Sequence, residues 1–122
     1  MASYVLAGEE IQCASCFHGV SSDCRDAFNK MPTNGTLSDN VNTSWSSSSC
    51  HVYWMPRGFS AEASAVHGFA QSLINKCGQN DAGCSGVISE DDGDVAMEGG
   101  CVCVSNQENM PCACSNGENL GC

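Results

Sequence analysis

The chain has 122 residues, enough for one domain, and eleven of them are cysteine, the density of a small disulfide scaffold. Fourteen Asp and Glu against four Lys and Arg give a formal net charge of −10. That field repels phosphate backbones and anionic headgroups, which excludes a nucleic-acid groove or a polybasic membrane anchor. No apolar run approaches the length of a membrane-spanning helix, and a hydrophobic content of 42% is too high for a wholly disordered chain.

Met1 to Gly8 carries neither the basic start nor the apolar length of a signal peptide. Residues 1–9 are therefore expected to be a disordered or artificially added N-terminus, with any leader already removed, and residues 10–122 a single disulfide-rich domain. Glu10 to Phe17 reads as a short strand or extended arm. Ser21, Ser22 and Asp23 supply cap side chains for a first helix, whose stripe is Val20, Cys24, Ala27, Phe28 and Met31. Pro32 and Asn34-Gly35 stop it. Thr33 to Ser49 is rich in Ser, Asn and Thr and reads as a long exposed connection. It carries two glycosylation sequons, at Asn34 and Asn42.

Cys50 to Trp54 is the clearest strand, with Cys50, Val52 and Trp54 facing one way and His51 and Tyr53 the other. Pro56-Arg57-Gly58 breaks it. Ser60 is expected to cap a second helix, with Glu62 in its first turn. That helix has a stripe of Val66, Phe69, Ala70, Leu73 and Cys77, with Ile74 at its edge and Gly78 at its C-terminus. Gly86 to Ser89 and Asp94 to Met97 read as strands joined by the acidic turn Glu90 to Gly93. Gly99 to Val104 reads as a last strand with valines on one face and cysteines on the other. The tail from Cys112 to Cys122 is polar and held by its cysteines. The order β-α-β-α-β-β predicts an α+β fold, a small disulfide-rich α/β sandwich with two amphipathic helices on one face of an antiparallel sheet.

Cysteine density places the protein in an oxidising compartment, hence secreted. The disulfide candidates are Cys13, Cys16, Cys24, Cys50, Cys77, Cys84, Cys101, Cys103, Cys112, Cys114 and Cys122. Eleven is odd, so one is left free or joins a second chain. Cys101 and Cys103 share a strand face, and an antiparallel return of the tail would set Cys103 opposite Cys112 and Cys101 opposite Cys114. Four converging thiolates could instead hold zinc, but amphipathic helices and eight aromatics do not suit a metallothionein-like chain. No cofactor and no metal are expected.

His18, His51 and His67 raise acid–base catalysis of the ribonuclease kind, which needs a base, an acid and a phosphate-binding cation converging from strands. The one strong strand carries no carboxylate and Arg57 falls in a turn, so the histidines are expected at the surface. Glu90, Asp91, Asp92, Asp94 and Glu98 lack the alternation and closing Glu of a calcium loop. The acidic turn, through Asp91, Asp92 and Asp94, is the candidate partner-binding edge, since loops carry recognition. Trp54 is read as core.

Ser22-Asp23-Cys24 opening a helix, a polar stretch with Trp45, Cys50-His51-Val52-Tyr53 as a strand, a helix ending in Cys77 and Gly99-Gly100-Cys101-Val102 together resemble the fungal killer-toxin-like secreted cysteine-rich proteins, the smut killer toxin and necrosis-inducing effector type. The resemblance covers residues 10–104 and leaves out the acidic insert and the Cys-x-Cys tail. It implies a secreted non-enzymatic toxin or host-directed effector that binds a protein or membrane target on another cell. A small secreted hydrolase and a thiolate metal-binding protein are the alternatives.

Overall fold

The computed structural model describes residues 9–14, 17–38, 43–56, 60–78, 83–90 and 101–107. Along the chain run β1 (Glu9–Cys13), α1 (Ser21–Asn29), β2 (Thr36–Leu37), β3 (Thr43–Ser47), β4 (Cys50–Met55), β5 (Ala61–Glu62), α2 (Ala63–Cys77), β6 (Gly86–Glu90) and β7 (Cys101–Ser105). Five strands form an antiparallel sheet in the order β1-β6-β7-β4-β3, and β2 pairs with β5 as a separate ribbon. The class is α+β, as the order of apolar patterns predicts.

Strand periodicity explains the core. Register sets Ile11 opposite Ile88, Ile88 opposite Val102, and Val102 opposite Trp54, so one row of large apolar side chains crosses four strands. Val104, Val52 and Trp45 make a second row. Both rows meet Cys24, Ala27 and Met31 of the α1 region and Val66, Ala70, Leu73 and Ile74 of α2 in one cluster. Trp54 is fully buried there, and its indole Nε1 has no hydrogen-bond acceptor among the described residues. The valines of β7 face this cluster, while Cys101 and Cys103 pack with Tyr53 on the other side of the sheet.

Several expectations are corrected. Thr33 to Ser49 is not one long exposed connection, because it contains β2 and the edge strand β3. Trp45 is the reason: it sits opposite Val52 and packs onto the core, which holds a Ser-rich segment of low strand propensity in the sheet. Ser21, Ser22 and Asp23 do not cap α1. Its cap residue is Val20, extended and without a side-chain cap bond, and Val20 lies 55% exposed rather than on the buried stripe. Ser60 does not cap α2 either; Ala61 and Glu62 pair with β2 first, and Glu62 is the cap residue. Residue 9 belongs to β1 rather than to the N-terminal tail. The strand read at Asp94 to Met97, the turn beyond Glu90 and the tail from Cys112 lie outside the described residues.

At the hairpin between β3 and β4, Ser47 faces Cys50 across the two-residue turn Ser48-Ser49. In an antiparallel ladder closed that way, Ser46 belongs to a non-hydrogen-bonded pair, and its carbonyl points away from β4. Lys30 Nζ donates to that carbonyl at 2.6 Å, on the side of β3 away from β4.

Candidate interaction surface and its disulfide frame

Two covalent ties cross from the helices to the sheet. Cys24 on α1 bonds Cys50 on β4 with an S–S distance of 2.01 Å, and Cys77 at the end of α2 bonds Cys13 on β1 at 2.05 Å. Beside the first tie, Ser49 donates to Asp23 Oδ2 from both its backbone N–H (3.1 Å) and its hydroxyl (2.9 Å). The same hydroxyl accepts the Val20 N–H at 3.0 Å. Consecutive residues of α1 are thus joined to consecutive residues at the junction of the turn and β4, 23 to 49 and 24 to 50.

Gly19 lies between this tie and the segment before β6. It exchanges two backbone hydrogen bonds with Cys84, of 2.9 and 2.8 Å, and a Cβ at Gly19 would stand 2.7 Å from Cys50 Sγ. Gly83 has φ +98°, and a Cβ there would collide with the Gly19 carbonyl oxygen. Only glycine allows both the left-handed backbone and the close approach.

Cys84 corrects the list of disulfide candidates, because it is a free, fully buried thiol. Its backbone is held by Gly19 and its sulfur faces the end of α2, 3.5 Å from where a Gly78 Cβ would stand. Burial pushes the thiol up to about 11, with Arg25 pulling weakly the other way, so it is neutral and sequestered at physiological pH. A bridge to a second chain through this sulfur would require the fold to open. Cys101 and Cys103 are both in disulfides, which removes their thiolates from a metal site. Cys16, Cys112, Cys114 and Cys122, and the strand pairing expected for the tail, lie outside the described residues.

The histidines do not sit as a surface set. His51 is buried at 7% exposure, because the far side of β4 is covered, and its Nδ1 lies 2.6 Å from Ser46 Oγ. His67 on α2 stacks on Phe28 of α1 with ring centroids 4.3 Å apart. His18 is half-buried in the loop before α1. The three stand on separate elements, and the first two are engaged in packing or hydrogen bonding. Among the described residues no group of three or more His, Cys, Asp or Glu converges on a metal-sized site, and no helix is long and apolar enough to cross a membrane.

Of the candidate surface residues, Asn34 is exposed in the turn before β2, and Asn42 lies outside the described residues. So do Asp91, Asp92 and Asp94. β6 ends at Glu90, directly opposite Glu9 of β1. Two acidic positions thus stand in register at the end of the β1–β6 ladder. Sequence reading places Glu9 in the N-terminal tail and so misses it; the Glu9-Glu10 pair ahead of an alternating run is the available signal. No family model, no curated protein and no solved structure matches the chain.

Proposed function

We propose that this chain is a secreted, non-enzymatic toxin or host-directed effector that acts by binding a protein or membrane target on another cell. The observation that carries the reading is the pair of helix-to-sheet disulfides, Cys24–Cys50 and Cys13–Cys77, which form and persist in oxidising compartments. The order of parts agrees with the killer-toxin-like resemblance: α1 carries Cys24 bonded to the β4 strand, α2 ends in Cys77, and Cys101 opens the last described strand. Against a hydrolase of the ribonuclease kind stand His51 and His67, which are occupied by Ser46 and Phe28.

The binding edge in this reading is the acidic segment with Asp91, Asp92 and Asp94, recognising a basic patch on the target. The test is binding of labelled protein to susceptible cells, with dose–response killing in parallel. Asp91→Asn, Asp92→Asn and Asp94→Asn combined should weaken binding several-fold, as should raised salt on the unaltered protein, with the thermal melt unchanged. Full activity in the triple variant overturns the acidic edge. Nuclease, protease or glycosidase turnover that survives repurification overturns the non-enzymatic reading.

A further inference from the structure

We infer that Asn34 is an N-glycosylation site, occupied when the chain passes through a secretory compartment; the inference rests on the proposed export. The sequence requirement is met by Asn34-Gly35-Thr36, with Thr at the third position and Leu37 after it. A sequon is used only where its side chains can enter the transferase, and that is a property of the fold.

Asn34, Gly35 and Thr36 are all exposed. The Asn34 side chain makes no hydrogen bond with any described residue, so its amide need not be released from a partner before it reacts. Gly35 has φ +92°, and a Cβ there would meet nothing within 4 Å, so the turn projects into open space. The same residue anchors the turn: its carbonyl accepts the Ala63 N–H at 2.9 Å, at the start of α2. Thr36 follows in a ribbon only two residues long, opposite Glu62. A ladder that short opens locally at little cost, which lets the segment extend into an enzyme after folding as well as before. The second sequon differs, since Thr43 and Ser44 are laddered along β3 to Trp54 and Tyr53 of the main sheet.

The donor is a glycan linked to a lipid through pyrophosphate. The Asn34 amide nitrogen attacks the anomeric carbon, a C–N bond forms, and the C–O bond to the pyrophosphate breaks. The lipid pyrophosphate leaves and the amide nitrogen gives up one proton. No oxidant or reductant takes part. The glycan would cover the β2–β5 ribbon and the start of α2, so the target-binding surface must lie elsewhere on the molecule.

The experiment is expression in a eukaryotic cell behind a supplied secretion leader. Intact mass is measured before and after treatment with a peptide N-glycosidase, and peptide mapping scores Asn34 by its conversion to Asp. Both secreted and cell-retained chains are scored, with thiol titration of the same samples. A majority of chains should carry a glycan at Asn34. It should be lost in Asn34→Gln and Thr36→Ala and kept in Thr36→Ser and Asn42→Gln. An Asn34 peptide that is unmodified in most chains, or a glycan that persists in Thr36→Ala, overturns the assignment. Because the leader is supplied, glycan occupancy is read separately from export: a chain retained with most cysteines reduced counts against the proposed function whatever the state of Asn34.

Discussion

Asp23 and Ser49 hold the start of α1 to the turn between β3 and β4 through two hydrogen bonds onto one carboxylate oxygen, of 3.1 and 2.9 Å. A helix whose cap residue is Val20 has no side-chain cap of its own, and this long-range contact stands in for one. Through the Ser49 hydroxyl it also satisfies the Val20 N–H.

Removing the carboxylate should therefore be felt. Hydrogen bonds to a charged group contribute about 1.5–3 kcal/mol each when buried and less when partly exposed, so Asp23→Ala should cost roughly 1–3 kcal/mol in urea unfolding. Ser49→Ala should cost less, because the backbone N–H to Asp23 remains. A double-mutant cycle should return a favourable coupling near 1 kcal/mol; zero coupling would show that the pair is incidental to stability.

The disulfides should matter in proportion to the loops they close. The sequence separations are 26 for Cys24–Cys50 and 64 for Cys13–Cys77, for which chain entropy gives about 3.5 and about 4.3 kcal/mol. Paired Cys→Ala replacements should show losses in that order. Full reduction should abolish near-UV circular dichroism, since net stability of a domain is only about 5–15 kcal/mol. A retained near-UV signal would place the stability in the core instead.

Cys84 gives a pH dependence of defined sign. The folded state raises the thiol from 9.0 to about 11, so its contribution is present in full below about pH 9 and is lost as the pH rises through about 11. The shift corresponds to about 3 kcal/mol. Urea-unfolding free energies followed from neutral to alkaline pH should fall more steeply for the unaltered protein than for Cys84→Ala. Parallel curves would show that the thiol is no more buried than in the unfolded chain. Thiol reagents should likewise reach Cys84 only after denaturation.

Two glycines should respond in opposite directions. Gly83→Ala forces a left-handed residue and a Cβ into the Gly19 carbonyl, and it should cost about 2–4 kcal/mol. Gly68 lies inside α2, exposed, with nothing within 4 Å of an added Cβ, so Gly68→Ala should stabilise by about 0.5–1 kcal/mol. Thermal melts of the two variants separate a steric role for glycine from a merely tolerated one.

Where apolar spacing was strong, the fold was legible: the stripe of α2, the alternation of Cys50 to Trp54 and the two-faced Cys101 to Val104 each landed on the expected element. What stayed hidden depended on partners distant in sequence. β3 has one aromatic among serines and threonine, and only its ladder with β4 and the packing of Trp45 make it a strand. Ser21 and Ser60 satisfy cap statistics, yet Asp23 is drawn to Ser49 and Ala61 to Leu37, moving both helix starts. His51 looked like a surface residue because alternation leaves the second face of a sheet open; here that face is covered. Nothing local in the sequence marks Cys84 as unpaired, since its isolation follows from the Gly19 bridge and the neighbouring ties.

The Lys30 ammonium on the Ser46 carbonyl has a consequence for how copies of this protein meet. A sheet edge with free carbonyls invites another strand, a general route to aggregation. For two molecules to align along β3, each must first give up its ammonium contact, and two cations must then share one narrow seam. In a chain with only four Lys and Arg side chains, placing one of them there makes the outer side of β3 a poor template for its own kind.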